Sequence, residues 1–238
     1  MIHCAVQTAT SPSPQPIDNT IDLKRLYPDR FEGNGDFKGE LHLNLQENAQ
    51  PVVQPPSKYP IQLLDKKGGK SSSQHSIMEP TDWANALVFI RKASGGLHIC
   101  LNPRSLNQCI KRTHHKTPTL ETTNHLSGSK VFRKLDAKHG CWSTKLNEVS
   151  SKLRTFNSPI RWFRFKRLPF GLNVSQDTFQ QCMDQIVSQC QGTIGITNNT
   201  IVHLKDDEDH NKKLHHLVKV AGKCGLVFDA EKCSIKTL

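Results

Sequence analysis

The pattern of apolar and polar residues divides the chain into a polar N-terminal part and a longer part with regular periodicity. Residues 1–57 are rich in Pro, Gln, Asn, Ser and Thr, which predicts an extended, weakly structured lead-in. Residues 41–45 alternate apolar and polar positions there and predict a short strand. Residues 66–76 are rich in Gly, Ser and Lys and predict a surface loop. We place the folded unit at residues 58–238.

Alternating apolar runs separated by turn residues predict several strands in the first half of this unit. Asn102 and Pro103 have the types preferred at a helix start, as N-cap and first-turn residue, and predict a short helix. The predicted strands are 86–90, 97–101, 131–135 ending at Asp136, and the hairpin pair 153–157 and 162–165.

The C-terminal half combines two helical patterns with a short hairpin. Residues 175–188 have apolar side chains at helical spacing, and residues 207–224 continue as a helix until Gly225. Residues 193–203 predict two strands joined by a turn at Asn198 and Asn199, and residues 226–228 predict a last strand. The order β-α-β-β-α-β predicts an α+β, ferredoxin-like fold, an antiparallel sheet with helices on one face.

Composition adds an expectation about partners and location. The formal net charge of +11 predicts an anionic partner, nucleic acid first and an anionic membrane surface second. No apolar run approaches the roughly 20 residues of a membrane span, and the N-terminus lacks a signal-peptide pattern, so an intracellular location is expected. The eight cysteines form no CxxC pair, which predicts reduced thiols. Histidines 210, 215 and 216 with Cys224 match no standard metal spacing and predict a solvated helix face.

Four segments follow one another in a characteristic order: 135–142 (LDAKHGCW), 168–180 (beginning LPFGL and ending SQDTFQ), 195–202 (GITNNTIV) and 225–233 (GLVFDAEKC). Two further segments lie upstream, at 27–31 (YPDRF) and 79–83 (EPTDW). Together they resemble the motifs of reverse transcriptases from gypsy-type long-terminal-repeat retrotransposons. The resemblance implies a right-hand polymerase fold with the thumb absent. It implies fingers mainly over 58–134 and 150–168, and a palm mainly over 135–149 and 169–238. The implied activity is RNA-directed DNA polymerisation on a nucleic-acid template and primer.

The resemblance also implies three aspartates that hold two Mg²⁺ ions, and only one of them is present. Asp136 matches the first position, whereas Asn198 and Asn199 occupy the other two. Two divalent cations repel each other and need several carboxylates, because Mg²⁺ prefers anionic oxygens. We therefore expect catalysis to be lost or nearly lost. The run 206–209 (DDED) does not replace the missing pair, because carboxylates are favoured at the start of a helix.

Other positions implied to act in catalysis or nucleotide binding are partly altered. Lys232 resembles the family lysine proposed to protonate the leaving pyrophosphate, and an ordinary surface lysine is the alternative interpretation. Cys141 replaces a bulky aromatic residue that excludes a ribose 2′-hydroxyl, and His98 replaces an arginine on the triphosphate. The remaining nucleotide-binding candidates are Arg91, Lys92, Phe170 and Gly171.

Basic and aromatic residues interleave in residues 161–167 (RWFRFKR), which favours a nucleic-acid contact. The candidates are Arg161, Arg164, Lys166 and Arg167, although the same pattern is typical of an ordinary hairpin with a buried ring. Residues 111–116 (KRTHHK) have a similar character.

Three functions are therefore compared. The leading one is a degenerate, inactive reverse-transcriptase domain. The second is a nucleic-acid-binding protein that keeps the basic cleft without chemistry. The third is an active polymerase in which Asp136 acts with other carboxylates.

Overall fold

The computed structural model describes residues 15–56, 74–77, 81–91, 97–117, 131–157, 162–204 and 207–237. These ranges contain both helices and strands, with 3-10 turns at Pro28–Arg30 and Gly140–Ser143. The helices are α1 (Thr20–Leu26), α2 (Arg104–Cys109), α3 (Glu148–Lys152), α4 (Ser175–Val187) and α5 (Asp207–Lys223). The strands are β1 (Glu40–Leu41), β2 (Gln74–Ile77), β3 (Ala86–Arg91), β4 (Leu97–Asn102), β5 (Val131–Asp136), β6 (Lys145–Leu146), β7 (Thr155–Asn157), β8 (Trp162–Phe165), β9 (Thr193–Ile196), β10 (Asn199–Leu204) and β11 (Ser234–Thr237).

The central sheet has the order β11-β5-β10-β9, and every neighbouring pair is antiparallel. Its strands and the two long helices follow the succession β-α-β-β-α-β, as the sequence predicts. Helix α4 contacts β9, α5 contacts β10, and the two helices contact each other. None of the helices in the described ranges is both long and apolar enough to cross a membrane.

Two apolar clusters hold these elements together. The larger lies between the central sheet and the helices, where Phe179, Met183 and Ile186 of α4 are buried as predicted. The smaller cluster connects the β3-β4 hairpin to the β7-β8 hairpin, and Phe156 stacks on Phe163 with ring centroids 5.6 Å apart. The second cluster therefore fixes the β3-β4 hairpin to the rest of the chain through packing.

Residues 15–56 differ from the extended lead-in expected from their composition. Asn19 caps α1, and five apolar side chains of this segment are buried: Ile17, Leu23, Phe31, Phe37 and Leu43. His215 of α5 is also buried; its ring nitrogens lie 2.6 Å from the Tyr27 hydroxyl and 2.7 Å from the Gln15 carbonyl oxygen. The expectation of a solvated face at this position of α5 is therefore wrong, because the N-terminal segment covers it.

Several predicted boundaries shift by a few residues. The hairpin turn consists of Thr197, at φ 51°, and Asn198, whereas Asn199 already pairs in β10. Helix α2 begins after Pro103, without a side-chain cap, because Asn102 belongs to β4. Residues 226–228 contribute only a bridge between Phe228 and Ala137, and the last strand of the sheet is β11. Of residues 41–45, only Leu41 belongs to the two-residue strand β1 (Glu40–Leu41), and Leu45 forms an isolated bridge.

Candidate active site

The central sheet brings the three residues implied as metal ligands to the same end of neighbouring strands. Asp136 is the last residue of β5, and Asn199, the first residue of β10, is its direct partner in the antiparallel register. The Ala137 amide donates to the Asn198 carbonyl oxygen at 2.7 Å, which attaches the hairpin turn to the end of β5. Direct partners in an antiparallel pair project on the same face, so Asp136 and Asn199 share one surface.

A turn at residues 229–233 adds two charged groups to this site. The Lys232 ammonium lies 3.0 Å from Asp229 Oδ2 and 3.9 Å from Asp136 Oδ1. Burial raises the pKa of Asp136, although the Lys232 and Lys134 charges oppose that shift. The hydrogen bond with Lys232 lowers the pKa of Asp229, and the same bond raises the pKa of Lys232. Asp229 was missed by the sequence analysis, although its spacing of three residues from Lys232 is a signal for such a pair.

The two asparagine side chains occupy different surroundings. Asn198 points toward Gly140, since a methyl group built on Gly140 would lie 2.6 Å from Asn198 Oδ1. Asn199 Oδ1 is buried and has no hydrogen-bond partner in the part of the chain that the structure describes. An orphaned acceptor beside Asp136 is suited to a cation or a donor, but its oxygen carries no formal charge.

These donors do not fit a pair of Mg²⁺ ions. No group of three His, Cys, Asp or Glu side chains within the described ranges is placed to hold a metal. Of the three ligands that the resemblance implies, only Asp136 is a carboxylate; Asn198 and Asn199 are neutral, and Asp229 already pairs with an ammonium. Two divalent ions would therefore meet too little negative charge to offset their mutual repulsion.

The asparagine hairpin is held in place by Gln180, a fully buried residue of α4. Its side-chain amide donates to the Gly195 carbonyl oxygen at 3.0 Å, and its carbonyl oxygen accepts from the Thr197 amide at 2.8 Å. Both bonds go to the backbone, so they position the turn independently of the residue types at 198 and 199. Gln180 is the last residue of the 168–180 motif and had no predicted role; the available signal was a glutamine next to Phe179 on the apolar face of the predicted helix.

The predicted nucleotide-binding residues are only partly brought together. Cys141 is 4% exposed, its thiol donates to the Ser175 carbonyl oxygen at 3.4 Å, and burial raises its pKa to about 11. It therefore belongs to the core and remains a neutral thiol. Phe170 is exposed, and Gly171 takes φ 106° close to the Leu101 carbonyl oxygen, a conformation that L side chains rarely adopt.

The other candidates of this group lie on the β3-β4 hairpin. Arg91 pairs in backbone register with Leu97, and His98 pairs with Ile90. The positions of the Arg91 and His98 side chains are outside the structural description, and Lys92 lies outside the described residues altogether.

Most of the basic residues predicted to bind nucleic acid are engaged within the protein. Arg164 is buried and pairs with Glu148 at 2.5 Å. Arg167 donates to the carbonyl oxygens of Gly35 at 2.8 Å and Trp142 at 3.1 Å, and forms an ion pair with Asp36. Lys166 is exposed, and Arg161 lies outside the described residues.

The second basic segment is anchored in the same way. Arg112 forms a bidentate pair with Asp177 at 2.6 and 3.3 Å, and the His115 ring contacts Asp184 at 2.6 Å. The hydrogen bond from Arg112 lowers the pKa of Asp177, so the carboxylate stays ionised and offsets the Arg112 charge. The segment also has three other exposed basic residues, Lys111, His114 and Lys116.

Solved structures share this arrangement of sheet and helices. The prototype foamy virus protease–reverse transcriptase superposes with a TM-score of 0.76 at 18% identity, covering 90% of this chain and 30% of that one. The foamy viral enzyme in complex with an RNA/DNA hybrid gives 0.78 at 15% identity over the same shares. The fold is therefore that of a reverse-transcriptase polymerase. The family model for reverse transcriptase (RNA-dependent DNA polymerase) matches residues 90–237, and this chain belongs to that family.

Sequence relatives are polyproteins of viruses and transposons and an uncharacterised animal protein. The protein K02A2.6 of Caenorhabditis elegans is 27% identical over 225 residues, covering 90% of this chain and 18% of that protein. The genome polyprotein of Petunia vein clearing virus is 29% identical over 209 residues, with shares of 84% and 10%. The Tf2-7 transposon polyprotein of Schizosaccharomyces pombe is 21% identical over 150 residues, with shares of 62% and 11%. The chain thus spans between a tenth and a fifth of these relatives.

Proposed function

We propose that this chain is a reverse-transcriptase domain of gypsy-type retrotransposon origin that has lost, or nearly lost, RNA-directed DNA polymerisation. In this proposal the central sheet with α4 and α5 is the palm, and the β3-β4 and β7-β8 hairpins belong to the fingers. The observation that carries the proposal is the register of Asn199 opposite Asp136, with an uncharged, unpartnered oxygen where the family has a carboxylate.

The lack of negative charge at the site, rather than a distorted backbone, supports the proposed loss of polymerisation. The backbone of the site is well ordered by internal bonds: β5 pairs with β10, and Gln180 holds the turn. The missing element is negative charge, which a pair of Mg²⁺ ions would require to activate the primer hydroxyl and stabilise the triphosphate. Even residues that only support metal ligands typically change affinity or activity by roughly 10–100-fold when mutated, so loss of two ligands has a larger expected effect.

Primer extension tests this proposal. The unmodified chain and its Asn198→Asp, Asn199→Asp variant are incubated with labelled primer on RNA and DNA templates, with Mg²⁺ or Mn²⁺. We expect extension by the double variant and none by the unmodified chain. A third protein, the double variant with Asp136→Asn, is the matched control and should again be inactive. Robust extension by the unmodified chain would overturn the proposal in favour of a polymerase that uses Asp136 with other carboxylates.

A second function, nucleic-acid binding without chemistry, is supported by the net charge of +11. Neutralisation of phosphates by lysines and arginines releases counterions, so such binding weakens steeply with salt. We propose that an RNA/DNA or DNA duplex is the partner. Fluorescence anisotropy of a labelled primer–template measures this binding. The salt concentration is varied between roughly 50 and 200 mM, the range over which counterion release changes affinity strongly. Absence of binding at the lowest salt would refute this second function.

A further inference from the structure

The turn that carries Lys232 is attached to Asp136 by the backbone. The Asp229 amide donates to the Asp136 carbonyl oxygen at 2.8 Å, and the Asp136 amide donates to Cys233 Sγ at 3.4 Å. Within the turn, the Lys232 and Cys233 amides both donate to the Asp229 carbonyl oxygen at 3.1 Å. These backbone bonds fix the Cα atom of Lys232 close to Asp136, and the lysine side chain then spans the remaining distance.

The ammonium connects two carboxylates that would otherwise repel each other. Lys232 Nζ lies 3.0 Å from Asp229 Oδ2, which is hydrogen-bond distance, and 3.9 Å from Asp136 Oδ1. The Asp229 charge acts on Asp136 as a like charge, and the Lys232 charge acts on it as an opposite one. A divalent ion bound at Asp136 would lie within a few Å of this ammonium and would be repelled by it.

We propose that the Lys232 ammonium is the resident counter-ion of this site and that it excludes divalent cations from Asp136 and Asp229. The lysine thus takes the electrostatic place of a metal in a site whose ligands no longer fit a metal pair. It follows that Asp136 and Asp229, with the orphaned Asn199 oxygen nearby, can hold one divalent cation once the lysine charge is removed. This goes beyond the proposed function, because it concerns cation binding by the free protein and requires no polymerisation.

Manganese binding to the full chain, without nucleic acid, tests the inference. Electron paramagnetic resonance measures free Mn²⁺, and paramagnetic broadening of amide resonances locates the bound ion. We expect Lys232→Met to bind Mn²⁺ at least about tenfold more tightly than the unmodified chain, with broadening centred on residues 136 and 229. Adding Asp229→Asn to Lys232→Met should remove the gain.

Lys134→Met is the matched control. Lys134 also lowers the pKa of Asp136 through its charge, but it is an exposed residue of β5 whose ammonium forms no ion pair with Asp136 in the described residues. We expect its Mn²⁺ affinity to stay within about threefold of the unmodified chain. A second variant, Lys232→Gln, carries the same expectation as Lys232→Met and covers the case in which methionine disturbs the turn.

Three results would overturn the inference. They are equal Mn²⁺ affinity in the unmodified chain and both Lys232 variants, an equal gain in Lys134→Met, and a gain that survives Asp229→Asn. The exclusion applies to the chain with Asn198 and Asn199; in the Asn198→Asp, Asn199→Asp variant two added carboxylates offset the ammonium, so activity of that variant is compatible with the inference. Extension by the unmodified chain would refute the proposed function, whereas only Mn²⁺ affinities decide the role of Lys232.

Discussion

Arg154 provides the sharpest prediction about stability. Its side chain is fully buried, and Nε, Nη1 and Nη2 all lack a hydrogen-bond partner among the described residues. Burial lowers the pKa of this guanidinium from its ordinary value to about 9. At neutral pH the folded protein therefore carries a desolvated charge that no carboxylate of the described ranges compensates, a condition that destabilises proteins by several kcal/mol. We predict that Arg154→Met, which keeps much of the volume and removes the charge, stabilises the fold by about 1–4 kcal/mol.

The pH dependence follows from the direction of this pKa shift. The unfolded chain binds the proton more tightly than the folded one, so the penalty is fully present below pH 9 and falls as the pH rises above about 9 toward the ordinary pKa of an exposed guanidinium. The difference in unfolding free energy between Arg154→Met and the unmodified chain should therefore be largest at neutral pH and become smaller above pH 9.

Urea denaturation followed by circular dichroism measures this difference. Arg104→Met is the control, because Arg104 is exposed and its removal should change the unfolding free energy by no more than about 0.5 kcal/mol. An unchanged or lower denaturation midpoint for Arg154→Met, with an unchanged dependence on urea, would refute the reasoning.

Three further predictions concern the hairpin, the basic residues and the thiols. Gln180→Leu should lower the unfolding free energy by about 2–4 kcal/mol, because one buried and one partly buried backbone group lose their partners. A loss below about 0.5 kcal/mol in urea denaturation would contradict this. Arg167→Ala should lower the unfolding free energy by about 1–3 kcal/mol, because Arg167 donates to backbone carbonyl oxygens. Lys166→Ala should leave the unfolding free energy unchanged and weaken nucleic-acid binding in anisotropy, because Lys166 is exposed. The opposite pattern would show that Arg167 contacts the nucleic acid. The Cys141 thiol should resist a thiol reagent at pH 8 until urea is added, as its pKa of about 11 and its burial imply; mass spectrometry showing rapid modification of Cys141 in the folded chain would contradict this.

The central sheet was predictable because its signals are local and periodic. The apolar face of α4, Gly225 after α5 and the turn between β9 and β10 each have a short-range sequence signature. The turn was nevertheless placed one residue late. An Asn-Asn pair is a good turn signal, but pairing of Asn199 with Asp136 depends on a strand more than 60 residues earlier in the chain.

The N-terminal segment was predicted poorly for a different reason. Its composition is polar on average, and an average over 57 residues hides a few apolar side chains that each enter the core separately. Ile17 and Leu23 are fully buried, although no periodic run of apolar residues surrounds them. Their burial depends on α5 and the central sheet, which local sequence cannot indicate.

Net charge predicts an anionic partner but does not show which basic residues are free to contact it. A charge of +11 is a property of the whole chain, whereas the role of one arginine depends on its neighbours. Arg164 and Arg112 pair with Glu148 and Asp177, which lie 16 and 65 residues away in sequence. Those carboxylates could not be assigned as partners without the fold.

The most direct test of the central claim is the incorporation of one nucleotide onto a primer, in Mg²⁺, by the unmodified chain and by the Asn198→Asp, Asn199→Asp variant. The account predicts no incorporation by the unmodified chain and measurable incorporation by the variant, because the fold of the site is intact and only its negative charge is missing. Incorporation by both proteins at similar rates, or by neither, would contradict the assignment of the lost activity to these two residues.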